Sequence, residues 1–153
     1  MTTISGLPAH ALLVHAIVVL APLVALLEIL CAFWPTARRR LVWLVLALGV
    51  VNLVLTPITT EAGEWLYDQK RRHTPIMQEH VERGQWMIYI SLALLVVAIA
   101  LAVMHWLEGR SDKRRTVATA LVAVVALAVG VSSIIGVYRI GDAGAQSVWG
   151  GGS

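Results

Sequence analysis

Four long apolar blocks, almost free of charge, alternate with short polar stretches along the chain. They cover approximately residues 9–34, 41–58, 86–106 and 116–138. About 20 residues of helix cross the hydrocarbon core of a bilayer, so a charge-poor apolar run of about 18 or more reads as a transmembrane helix. Four such runs take up more than half of the chain. The pattern predicts an all-α integral membrane protein, an up-down four-helix bundle in which short first and third loops pair span one with two and three with four. Small residues would let the helices approach closely, among them Ala93, Ala98, Gly130, Ser133 and Gly136. Residues 1–149 are expected to form one domain. The closing Gly-Gly-Gly-Ser, 150–153, reads as a flexible tail or an engineered linker remnant.

Composition agrees with the pattern: 58% of residues are hydrophobic and 14% charged. The net charge of +3 does not point to nucleic acid, because the basic residues cluster in the interhelical stretches. Arg38, Arg39 and Arg40 follow the first span, and Arg110, Lys113, Arg114 and Arg115 follow the third. Basic short loops stay in the cytoplasm, which places both termini and the 59–85 loop outside it. Lys70, Arg71 and Arg72 run against that bias, but Glu61, Glu64, Asp68, Glu79 and Glu82 offset them. Trp34, Trp43, Trp86 and Trp106 fall near span ends, where indole rings prefer to sit. The N-terminus lacks the basic region of a cleaved signal peptide. The single cysteine, Cys31, forms no intramolecular disulfide and reads as a small core residue.

With this topology, His10, His15, His73 and His80 fall on the outer side and His105 on the inner. Ionisable groups in or near a membrane are costly unless paired, so each is a candidate for function. His10 and His15 lie about 140° apart around a helix and do not face one small ligand squarely. His80, Gly84, Met87 and Ser91 share one face of the third helix, and Gly84 leaves room one turn below His80. One histidine on each of two helices, with a small residue making space, is what a bis-histidine haem b requires. The same histidines with a carboxylate such as Glu64 could instead hold zinc, copper or iron. The plainer alternative is a set of interfacial histidines bonded to backbone, headgroups or neighbouring carboxylates. None of these spacings is specific by itself.

Glu28 lies eighteen residues, or five helical turns, below His10 and on the same face of an undistorted helix. His105 and the arginines near the inner surface are its candidate partners, in a structural pair or a proton relay. Asn52 reads as a helix–helix hydrogen-bonding residue.

The opening "GLPAHALLVHAIV", the segment "TPITTEAGEW", the stretch "MQEHVERGQW" and the tail "GVYRIGDAGAQSVW" together resemble a family of small bacterial membrane proteins, domain of unknown function 2231. The match spans about residues 6–149. Thr60, Glu64, Trp65 and His80 stand at family positions, while Ala11 and Glu61 replace a usual proline and glycine. The resemblance implies a four-helix protein of the bacterial inner membrane and supplies no function. Fusion of some relatives to Rieske iron–sulfur domains implies redox work, and an aspartate in place of the second histidine in some of them implies His10 and His80 as the ligand pair.

Two functions follow as expectations. In the first, His10 and His80 ligate haem b, or a metal ion, near the extracytoplasmic face. His15, Glu64, Tyr138, Arg139 and Asp142 surround the group, with Arg139 suited to a haem propionate. Electrons would pass to or from a quinol, an extracytoplasmic carrier or a respiratory complex. In the second, the bundle is a non-catalytic accessory subunit of a larger membrane complex.

Overall fold

The computed structural model describes residues 3–4, 7–69, 74–110 and 116–149. Nearly all of them are helical: α1 (Ala9–Phe33), α2 (Pro35–Asp68), α3 (Pro75–Gln85), α4 (Met87–Glu108) and α5 (Thr116–Trp149). A two-residue antiparallel ladder, β1 (Thr3–Ile4) with β2 (Leu7–Pro8), precedes them. Lys70 to His73, Lys113 to Arg115 and residues 150–153 lie outside the described residues.

Only Trp34 separates α1 from α2. Its backbone is extended (φ −123°, ψ 100°), as the residue before a proline prefers, and Pro35 pre-sets the first turn of α2. Arg38, Arg39 and Arg40, expected in a loop, therefore lie inside α2; arginine is a good helix former once the turn is nucleated. The expected 59–85 loop is also largely helix. Pro57 removes one N–H but does not stop α2, which continues to Asp68. Thr74 then caps α3 by accepting from the Met77 N–H at 3.4 Å, with Pro75 in the first turn. At Trp86 the backbone stays right-handed (φ −70°, ψ −15°), so α3 leads into α4 almost without a break.

Four helical runs among the described residues are long and apolar enough to cross a membrane: His10–Phe33, Pro35–Asp68, Pro75–Glu108 and Thr116–Gln146. Large apolar side chains face outward on every one, for example Val19, Val54, Val96 and Val124, and these meet lipid. Trp86 and Trp106 are both exposed. The helix between them rises ~30 Å, which matches the thickness of the hydrocarbon core. Beyond Trp86 the chain turns polar: α3 and the ends of α2 and α5 carry Glu64, Asp68, Glu79, Glu82, Arg139 and Asp142.

Around the bundle the order is α1, α2, α4, α5, with α1 also meeting α4 across the centre. Two apolar layers fill it. The one nearer the α1–α2 turn joins Cys31, Val42, Val45, Val97, Leu101 and Ala126. The other, nearer α3, joins Ile17, Ala21, Val24, Met87, Leu94 and Val137. Gly130 allows α5 to approach α1: a Cβ there would stand 2.8 Å from Ile29 Cδ1.

The α1 end is closed by a buried cation. Arg38, 1% exposed, donates to the Cys31 carbonyl at 3.0 Å and grips Glu108 through Nη2 at 2.6 Å and Nε at 3.3 Å. It caps orphan carbonyls of α1 and ties α2 to the end of α4.

Candidate paired-histidine site

His10 and His80 come together where α1 begins and where α3 extends α4 beyond Trp86. Their ring centres are 6.2 Å apart and their planes 75° from parallel. His80 lies six residues beyond Trp86, ~9 Å along the helix axis. The pair therefore sits in the polar layer at the end of the bundle that carries α3.

The two histidines are held in the same way. His10 Nδ1 donates to the Thr59 carbonyl of α2 at 3.0 Å, and His80 Nδ1 donates to the Ile140 carbonyl of α5 at 3.1 Å. A carbonyl only accepts, so in its neutral form each ring carries its proton on Nδ1 and keeps a lone pair on Nε2. No hydrogen-bond partner for either Nε2 is found among the described residues.

Each accepting carbonyl is followed, four residues on, by a glycine that makes space for the ring. A Cβ on Gly63 would lie 2.7 Å from His10 Cε1, and one on Gly144 would lie 2.9 Å from His80 Cε1. In an α-helix the carbonyl of residue i bonds the N–H of residue i+4, so a side chain there flanks the approach to that carbonyl. Glycine at that place lets an imidazole reach the second lone pair. The α1–α2 hairpin and the half formed by α3, α4 and α5 thus repeat one device: a histidine on the entering helix, a carbonyl and a glycine on the returning one.

Other contacts fix α3. Gln85 donates to Glu64 on α2 at 3.3 Å, and Arg83 donates to the Arg139 carbonyl on α5 at 3.4 Å while pairing with Glu79. Below the pair, buried hydroxyls step down α2. Thr59 bonds Leu55, and Thr60 bonds Thr56, each through the carbonyl one turn back. Thr56 Oγ1 lies 2.7 Å from Ser91 Oγ, which also accepts from Asn52 Nδ2 at 3.0 Å.

The remaining candidates divide. Gly84 has no neighbouring atom within 4 Å of a Cβ placed on it, so space is open one turn from His80. His15 is exposed and bonds the Ala11 carbonyl of its own helix. Glu64 is engaged with Gln85, and Asp142 with Gln146 at 2.9 Å. Tyr138 and Arg139 are exposed on α5. His105 is at the opposite end, edge-on to Trp43 with ring centres 6.3 Å apart. Among the described residues, no group of three or more histidine, cysteine or acidic side chains could hold a metal ion. His10, His15, His80 and Glu64 are not gathered into such a group.

Sequence reasoning overlooked Gly63, Gly144, Thr56 and Thr59. The available signal was a glycine four residues after a helix position opposite each histidine, which becomes visible only once the pairing of helices is known.

A family model described as "Predicted membrane protein (DUF2231)" matches residues 6–153. No curated protein and no solved structure matches the chain.

Proposed function

The chain belongs to the DUF2231 family of predicted membrane proteins, and from that premise we propose that it is a small membrane redox protein in which His10 and His80 would hold a haem b. The observation that carries this reading is the pair of imidazoles on separate helices, each locked through Nδ1, with no partner for either Nε2 among the described residues. Such backbone anchoring of the second nitrogen is the usual support of a ligating histidine. At metal–imidazole bonds of about 2.0–2.1 Å, two rings sharing one ion stand roughly 6 Å centre to centre. Aromatic packing alone accepts the same separation, so the two locked tautomers, not the distance, favour ligation. Haem asks the protein for two ligands, whereas a bare zinc site asks for three or four, and no larger cluster is found among the described residues. The open space at Gly84 suits a flat group beside His80, and the exposed Arg139 suits a propionate.

Bound haem would supply a one-electron couple at the membrane surface. The charge bias of the loops favours the extracytoplasmic side of the bacterial inner membrane for that surface, where a quinol, a soluble carrier or a respiratory complex would be the exchange partner. One site at one surface does not carry electrons across the bilayer by itself. The test is haem content of the purified protein by the pyridine haemochrome assay together with elemental analysis. One haem per chain supports the reading; protein with neither haem nor stoichiometric metal overturns it.

A second reading, an accessory subunit, draws on the lipid-facing cleft between α4 and α5 lined by Ala93, Ala128, Ser132 and Ser133. Small residues on a membrane face allow another helix to approach. Bulky substitution at Ala128 would release such a partner while leaving the paired histidines intact, and co-purification before and after the change reads it out.

A further inference from the structure

Glu28 is 0% exposed, and neither of its carboxyl oxygens has a hydrogen-bond partner among the described residues. Its neighbours on the same helical face, at three and four residues either side, are Val24, Ala25, Cys31 and Ala32, all buried. The layer that Cys31 and Ala32 join is completed by Val42 and Val45 of α2, Val97, Ala98 and Leu101 of α4, and Ala123 and Ala126 of α5. The sequence suggested His105 or an inner arginine as partner. Arg38 is instead committed to Glu108 and to the end of α1, and His105 Nδ1 is buried without a bond.

An ionised carboxylate in such a place, without a partner, costs far more than taking up a proton. A neutral acid there forms no hydrogen bond among the described residues, so it contributes nothing to stability beyond the volume that an apolar side chain of its size would fill. We propose that Glu28 is a proton-binding site inside the membrane, loaded from the side of the bundle that carries the α1–α2 turn. The polar groups in that direction are Cys31 one turn away, then Arg38, then Glu108, which is 37% exposed and reaches the surface. On α4, His105 is the other titratable group at this end. The part of α5 in this layer, Val122, Ala123, Ala126 and Val129, contributes no titratable group. In the opposite direction the inward face of α1 is closed by Val24, Ala21 and Ile17. The buried polar groups toward the α3 end are Ser133 of α5 and the Asn52–Ser91 pair.

The test needs no cofactor. Infrared spectra of the protein in lipid are expected to contain a protonated-carboxyl stretch that shifts in D2O. A hydrophobic carbodiimide is expected to label the peptide that holds Glu28. In that reaction the acid proton moves to a carbodiimide nitrogen, the carboxylate oxygen adds to its carbon, and rearrangement leaves the whole reagent mass on Glu28. The labelled position is read directly in the unaltered protein, so the test survives even if Glu28→Gln fails to fold. Where Glu28→Gln does fold, band and label both disappear. In His80→Ala both remain, which separates this site from the histidine pair. In Glu108→Gln the D2O shift slows several-fold if loading runs past that residue. Absence of both band and label at neutral pH overturns the proposal. An unchanged shift rate in Glu108→Gln, with slowing in His80→Ala, overturns the side of entry.

Discussion

Gly63 stands where any side chain would strike the His10 ring, because a Cβ there would lie 2.7 Å from Cε1 and 2.9 Å from Nδ1. The same edge of the ring is pinned by the 3.0 Å bond from Nδ1 to the Thr59 carbonyl. Glycine at 63 is thus a condition for the position of His10, and Gly144 is the matching condition for His80.

Gly63→Ala is therefore expected to push His10 off the Thr59 carbonyl and to cost about 1–3 kcal/mol, as overpacking does. Gly144→Ala should do the same to His80. Gly84→Ala is the control: its surroundings are empty, and replacing glycine inside α3 should stabilise the protein without haem by up to ~1 kcal/mol. Thermal unfolding in detergent checks the order of the three.

The tautomers are measurable on their own. Nitrogen-15 spectra of the imidazoles should place the proton of both His10 and His80 on Nδ1. Gly63→Ala should abolish this signature for His10 and leave His80 in place, since the two are anchored on different helices.

In the Arg38–Glu108 pair the buried member is Arg38. Removing Glu108 strands a cation in the apolar end of the bundle, whereas removing Arg38 leaves a partly solvated carboxylate. Glu108→Gln is expected to cost about 3 kcal/mol, and Arg38→Met distinctly less although it also uncaps α1. Equal losses in unfolding experiments would contradict the assignment of the buried charge.

Asn52 and Ser91 bind α2 to α4 inside the bilayer. Hydrogen bonds between membrane helices contribute about 0.6 kcal/mol on average, so Asn52→Leu and Ser91→Ala should each be mild. A double-mutant cycle should show coupling, because Ser91 Oγ serves both Asn52 and Thr56.

Much of the fold was legible because hydrophobic length alone specifies membrane helices. The spans, the pairing of helices and the boundary tryptophans all follow from it. The extent of α2 beyond Pro57 was not legible, since the polar segment after it reads as loop unless its backbone bonds are counted. Within the site, His10, His80 and the space at Gly84 could be picked out as polar or small positions on inward faces. His15 and Glu64 could not be separated from them, because which side chain a neighbouring carbonyl or amide captures depends on tertiary contacts. Gly63 and Gly144 stayed hidden for the same reason: their role is defined by a ring from another helix. Arg38, one of three consecutive arginines, gave no sign that it alone turns inward.

The central claim is that His10 and His80 together hold one redox group. The reduced-minus-oxidised absorption spectrum of the purified protein, beside His10→Ala and His80→Ala, tests it most directly. A Soret band with sharp reduced α-bands is predicted in the unaltered protein, lost in either variant. It should also fade in acid, because a protonated imidazole has no lone pair for iron. A colourless protein, or a haem spectrum indifferent to both substitutions, would contradict the account.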